Sequence, residues 1–162
     1  MPKIHRLASG VIAENRRARF DYEVLEAFEG GIQLTGQEVK STQAGRADIT
    51  AAFVTLRTSP RTGGTELWLT NTAIPPWQSK NAPPDYDERR PRKLLLHRGE
   101  IAALIGKLQT GGLTAVPLRL YTKGRRVKAE IALVRRRKKG DRRDIIKKRE
   151  AEREMRRALK NR

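Results

Sequence analysis

The side chains of this sequence that could do chemistry are few, and most stand in company that argues against catalysis. Asp85, Asp87 and Glu88 form the tightest carboxylate cluster. Carboxylates that close would suit general acid–base work or a divalent cation. Here they sit in a Pro-rich stretch beside Arg89-Arg90, so solvated counter-charge is the better reading. His97 could serve as a general base, but a single His after Leu94-Leu95-Leu96 reads as a helix-start or surface hydrogen-bonding group. The other histidine is His5, and two do not make a His-rich metal centre. With no cysteine there is no disulfide framework, no thiol nucleophile and no Cys-type zinc site. Gly30-Gly31 and Gly111-Gly112 lack phosphate-loop spacing and read as turns. No nucleophile, base and acid fall into a pattern; neither an enzyme nor a cofactor is expected.

The abundant chemistry is phosphate neutralisation. In 162 residues, 36 Lys and Arg stand against 18 Asp and Glu, a net charge of +18. Residues 135–162 hold 15 basic and five acidic side chains, a net +10, which leaves +8 for the preceding 134 residues. That division is the footprint of a chain that binds a polyanion. Trp68, Trp77, Tyr86 and Tyr121 could stack on bases, a contact worth about 1–3 kcal/mol each. Trp68, on a strand, is expected in the core; Trp77 and Tyr86, on an irregular stretch, are the better stacking candidates. No run approaches the roughly 18 apolar residues of a membrane span, and Met1 to Leu7 lacks the apolar segment of a signal peptide. The expected setting is the cytoplasm.

The elements that must position these groups follow from periodicity. Alternation predicts strands over Phe20–Phe28, with Phe20, Tyr22, Val24 and Phe28 on one face, and over 49–57 and 66–74. The last two are joined by the turn-rich Thr58–Thr65. A further hairpin, 114–121 and 127–134, turns at Gly124, with Val127, Ala129, Ile131 and Leu133 on one face. Helices are expected over Gly36–Gly45 and Arg98–Gln109; the second places Ile101, Leu104, Ile105 and Leu108 on one side. Five prolines between 75 and 91 predict a long irregular loop. The fold class expected is mainly β: a small antiparallel OB-like closed barrel over residues 1–134, with two or three short helices. Residues 135–162 form a basic tail. From Asp141 to Leu159 it holds no Pro or Gly, Asp141 could cap it, and Asp144/Lys148 and Glu152/Arg156 are i,i+4 pairs. Its apolar stripe is only Ile145, Ala151, Met155, Ala158 and Leu159. So thin a stripe predicts a tail disordered when free and helical when laid along RNA.

Specific strings say more than averages. Asn15-Arg16-Arg17-Ala18-Arg19-Phe20, Phe28-Glu29-Gly30-Gly31, Gly36-Gln37-Glu38-Val39-Lys40-Ser41, Arg92-Lys93-Leu94-Leu95-Leu96-His97 and Gly112-Leu113-Thr114-Ala115-Val116-Pro117-Leu118 occur in this order. Together they resemble the bacterial SsrA-binding protein (SmpB) family, the partners of transfer-messenger RNA (tmRNA) in trans-translation, over about residues 12–158. The resemblance implies an RNA-binding adaptor that makes and breaks no bond. Its tmRNA face, holding the tRNA-like domain, would include Asn15, Glu29, Glu38, Lys40, Leu96, His97 and Lys123, with Arg16, Arg17 and Arg19 beside them. The tail would enter the mRNA channel of a stalled ribosome and lie on small-subunit rRNA in the decoding region. Matching positions are Arg136, Arg137, Lys138, Lys139, Asp141, Arg142 and Arg143, continued by Lys147, Lys148 and Arg149. Arg136 stands where the family has glycine, and Gly140 where it has Tyr or His. The partners implied are tmRNA, one copy of the chain per molecule, and the ribosome; no membrane is involved. From charge and fold alone, a structural ribosomal or general rRNA-binding protein remains the other reading. A nuclease, the third, lacks a catalytic cluster.

Overall fold

The computed structural model describes residues 10–161; the readings made on Met1–Leu7 and His5 lie outside them. The chain order is β1 (Val11–Glu14), α1 (Arg16–Asp21), β2 (Tyr22–Ile32), α2 (Gly36–Gln43), β3 (Phe53–Thr58), β4 (Thr65–Thr70), β5 (Arg92–Leu95), α3 (Arg98–Gln109), β6 (Leu113–Lys123), β7 (Arg126–Arg136) and α4 (Lys139–Lys160). The seven strands form one antiparallel sheet in the order β1-β6-β7-β2-β5-β4-β3.

The closed barrel is corrected: the ladder has two ends, β1 and β3, that do not pair. A side chain spans the gap instead. Asn15, directly after β1, donates from Nδ2 to the carbonyl of Ile49 (3.3 Å), ahead of β3, and to that of Pro117 (3.1 Å) in β6. The sheet therefore curls around its core with its margins clasped by an amide rather than by strand pairing.

Inside the curl, Leu67, Leu69, Leu94, Leu120 and Ile131 meet Leu104 of α3, each at most 2% exposed. Val127, Ala129, Ile131 and Leu133 all point into this core, as alternation on β7 predicts. The other face of β6–β7 is partly covered as well: Ala18 of α1 and Tyr22 pack on Val116, Leu118, Ala132 and Val134. This second layer explains why Ile131-Ala132-Leu133-Val134 is buried on both sides.

The strand expected over Phe20–Phe28 begins only at Tyr22; Phe20 lies in α1. The side-chain oxygen of Asn15 accepts from the Ala18 amide (3.0 Å) and caps that helix. A register shift between Val24 and Glu26 then breaks the expected single face, leaving Val24 36% and Leu25 41% exposed. β3 starts at Phe53 rather than Ile49, because Asp48–Ala52 forms a turn closed by the Ala52 amide on the Ile49 carbonyl (3.1 Å). β4 stops at Thr70, where Asn71 takes φ = +64°, a left-handed conformation that Asn tolerates. The short strands β1 and β5 were not anticipated.

The helix expected from Gly36 is α2. Its Thr35 hydroxyl accepts from the Glu38 amide (3.4 Å), and the Glu38 carboxylate accepts from the Thr35 amide (3.0 Å). α3 matches its expected span, and Gly111 and Gly112 follow it at φ of +74° and +73°. No described helix is long and apolar enough to cross a membrane.

Candidate RNA interface

One end of the outer face of β2–β7–β6 is not covered by α1, and its alternate residues are polar. Glu29 sits opposite Glu130, Glu130 opposite Arg119, and Tyr121 opposite Lys128. The Tyr121 hydroxyl donates to Glu29 Oε2, and Lys123 Nζ donates to Oε1 (3.0 Å). Arg119 pairs with Glu130 and lies 5.4 Å from the Tyr121 ring centre. The Tyr121 hydrogen bond foremost, then Lys123, holds the Glu29 carboxyl below its ordinary range, with Lys128 adding attraction from further away. Partial desolvation and the hydrogen bond to Glu29 push the Tyr121 hydroxyl up, so it remains a proton donor. The result is an exposed anion framed by cations and one aromatic face. A carboxylate with free lone pairs can accept from base amino groups or a ribose 2′-hydroxyl, and cations such as those of Arg119, Lys123 and Lys128 can pair with phosphates.

Next to Glu29, Gly30 leaves room for Leu96: a Cβ on Gly30 would lie 3.1 Å from Leu96 Cγ and 3.2 Å from Cδ1. Leu96 is half-buried at the rim of the core, while Leu95 is 53% exposed. His97 is exposed at the N-terminus of α3, where its amide donates to the Glu100 carboxylate (3.1 Å). The structure thus joins Glu29 and Lys123 on the outer face, whereas Leu96 lies against Gly30 on the opposite, core-facing side and His97 follows it at the start of α3. It adds Tyr121, Lys128, Arg119 and Leu95, which sequence reading did not assign to the face. Tyr121 was considered for stacking; the signal for Arg119 and Lys128 was their alternation with core residues on β6 and β7, and for Leu95 its alternation with Leu94 on β5.

Two residues implied for the face have interior jobs. Asn15 is 3% exposed, with its amide committed as described above. Glu38 is 1% exposed and accepts from Arg92 Nε (3.2 Å) and Nη2 (3.0 Å) and from Arg90 Nη2 (2.8 Å). Burial works against its charge, but Arg92 and then Arg90 outweigh it and hold the carboxyl below its ordinary range. Arg92, itself fully buried, also donates to the carbonyls of Thr72 (2.8 Å) and Glu88 (3.0 Å). Glu38 therefore anchors α2 to β5 and to the stretch before it. Lys40, on the same helix, is exposed.

That stretch, 75–91, is irregular as expected apart from one short turn at Ser79–Asn81, yet it is tied down. The Tyr86 hydroxyl donates to the Ile74 carbonyl (2.8 Å), and Arg46 lies 4.9 Å from the Trp77 ring and donates to the Trp77 carbonyl (3.1 Å). Both rings expected to stack on bases have intramolecular partners. Trp68, expected in the core, is half-buried on the outer face of β4, with Arg57 5.0 Å from its ring and Nε1 on Glu66 (3.1 Å). Asp87 accepts from the Arg89 amide (2.9 Å), and no metal-binding group of acids or histidines exists among the described residues.

The first turns of α4 lie against α1. Arg17 pairs with Asp21 (3.1 Å) and Arg16 with Glu14 (3.4 Å); Arg19 is exposed. The Arg137 amide donates to the Asp21 carbonyl (3.0 Å), Arg142 reaches the Asp21 carboxylate (3.9 Å), and Arg149 lies 5.7 Å from the Phe20 ring. β7 runs on to Arg136, so the boundary expected at 135 falls just inside it. Lys138, not Asp141, is the cap of α4. Asp141 stands in the first turn and accepts from the Lys138 amide (3.2 Å), complementing the helix dipole. Of the expected apolar stripe only Ile145 is partly covered; Met155 and Leu159 are 68% and 71% exposed. Lys139, Arg143, Lys147 and Lys148 are exposed as well.

Comparison with known proteins accounts for this arrangement. A family model described as SmpB protein matches residues 12–161. The SsrA-binding protein of Nostoc sp. (strain PCC 7120) is 47% identical over 151 residues, which is 93% of this chain and 94% of that protein. That of Roseiflexus sp. (strain RS-1) is 46% identical over 152 residues, covering 94% and 92%. A solved structure described as "tmRNA-SmpB: a journey to the center of the bacterial ribosome" superposes with a TM-score of 0.62 at 44% identity, over 78% of this chain and 84% of the other. A match spanning both the curled sheet and α4 leaves one assignment: the chain belongs to the SmpB protein family.

Proposed function

We propose that the chain is an RNA-binding adaptor of trans-translation, a non-catalytic cytoplasmic factor that carries tmRNA to stalled ribosomes. We read the curled sheet as OB-like, with its ladder left open between β1 and β3. The outer face around Glu29 holds the tRNA-like domain, with Lys123, Leu96, His97, Lys40 and the arginines of α1 contributing. Asn15 and Glu38 act on that face only by shaping it. The tail enters the ribosome's mRNA channel, with Arg136 to Arg143 and Lys147 to Arg149 on small-subunit rRNA. Its first turns dock on α1, and its exposed remainder gains full helical order only on RNA.

The observation that carries this reading is the exposed Glu29, framed by Tyr121, Lys123 and Lys128, in a chain alike over more than nine-tenths of its length to proteins named for binding SsrA. Glu29→Gln tests it in a tmRNA gel-shift titration. Loss of a charge-assisted hydrogen bond is worth about 1.5–3 kcal/mol, so affinity falls about ten- to a hundredfold with the melting temperature unchanged. Unchanged affinity would overturn the assignment.

A further inference from the structure

The β4–β5 ladder is short. It pairs only Trp68 with Lys93 and Leu69 with Arg92, although β4 pairs with β3 along its whole length from Thr65 to Thr70. β5 meanwhile crosses to β2, where Leu94 faces Ile32 and Leu95 faces Gly31. Beyond Trp68 the two strands splay, and the edge of β4 at Thr65 and Glu66 has no strand neighbour on that side, while Leu67 is buried in the core. The splay opens a groove of about 810 Å³ between that edge, the Ser59–Gly64 loop and α3.

Its far wall is apolar, made by Ile101, Ala102 and Ile105 on one side of α3. Arg61 and Arg98 stand at its rim, both exposed and without an ion-pair partner among the described residues. Glu66 is the one carboxylate lining the groove, and it is already held by Lys93 (2.8 Å) and by Trp68 Nε1 (3.1 Å). None of these residues belongs to the RNA face around Glu29 or to the α1–α4 surface.

We propose that this groove binds an extended acidic peptide segment of a partner protein, which adds a strand to β4 beside Thr65 and Glu66. A free sheet edge offers alternating amides and carbonyls to an extended chain, and the pleat directs alternate side chains to opposite sides. Apolar side chains of the peptide pack on Ile101, Ala102 and Ile105, while its carboxylates meet Arg61 and Arg98. RNA suits the groove less well. The aromatic available for stacking, Trp68, already carries Arg57 on its ring and Glu66 on its indole nitrogen, and the opposite wall is aliphatic.

The probe is a short synthetic peptide alternating Glu and Val, titrated into the full chain and followed by amide chemical shifts. Its counterpart with a methylated backbone and a single-stranded RNA oligonucleotide are run beside it. The peptide shifts the amides of Thr65 and Glu66, and backbone methylation or Ala102→Trp weakens binding by about tenfold or more. Should Ala102→Trp fail to fold, the methylated peptide on the natural chain decides alone. Equal affinity of the methylated peptide would mean charge attraction only. Shifts confined to α1 and α4, absence of binding, or displacement of the peptide from these amides by the RNA would each overturn the proposal.

Discussion

Glu29 and Glu38 lie close in sequence and are both ionised, yet water reaches one and arginines enclose the other. On the proposed function Glu29 exchanges Lys123 or Tyr121 for an RNA donor, since its partners meet it at the surface. Glu38 has no such freedom: it holds the guanidinium groups of Arg90 and Arg92, and Arg92 has no access to solvent. Removing one partner of a buried pair costs about 3–5 kcal/mol, so Glu38→Gln lowers the denaturation midpoint while Glu29→Gln leaves it alone. The pH dependence follows from the same geometry. Because folding depresses the Glu38 pKa, its contribution is complete above the ordinary carboxylate range near pH 4.3 and is lost as pH falls through the lower folded value. Thermal melts between about pH 5 and pH 3 show a fall in melting temperature, and Glu38→Gln flattens it. Identical slopes in the two proteins would mean that the triad does not titrate there.

At the scale of elements, α4 differs from the other helices in what holds it. α2 and α3 each bury residues, whereas α4 buries none and meets α1 through its first turns. A helix with so little apolar contact opens readily. In the full chain, amides beyond Arg149 exchange with deuterium fast without RNA and slow down in a tmRNA–ribosome complex. Strong protection in the free chain would remove the coupling of order to RNA. A chain ending at Lys138 keeps β7 and the Arg137–Asp21 contact, so it retains tmRNA binding but fails to tag stalled chains in a reconstituted translation assay. Tagging by that truncated chain would defeat the role given to α4.

On the proposed function, two basic surfaces of the whole molecule, the outer sheet face and α4, serve two different RNAs. Each phosphate contact contributes about 0.7–0.9 log unit of affinity per log unit of salt. The salt slope for tmRNA is therefore nearly the same with and without residues 139–162, whereas ribosome binding loses most of its slope on truncation. A parallel loss on tmRNA would show that the tail binds the same molecule as the sheet.

Much of this was legible in the sequence. The β6–β7 hairpin, α2 and α3 follow from alternation, capping residues and glycine stops, which act locally. α1 and β1 were missed because each is a few residues long and held by Asn15, whose bonds to Ile49 and Pro117 cross the fold. The basic tail and the strings shared with the SmpB family were likewise plain without coordinates, since charge and motif order need no tertiary contact. What only the tertiary structure decided is which carboxylate lies exposed and which is buried holding the fold together, that the sheet remains open, and that β4 ends without a partner on one side. Each of these depends on residues far apart in the chain meeting in space: Glu38 with Arg92, Asn15 with Ile49, β5 leaving β4 for β2. Periodicity reads neighbours along the chain, and it cannot see a partner that only folding brings near.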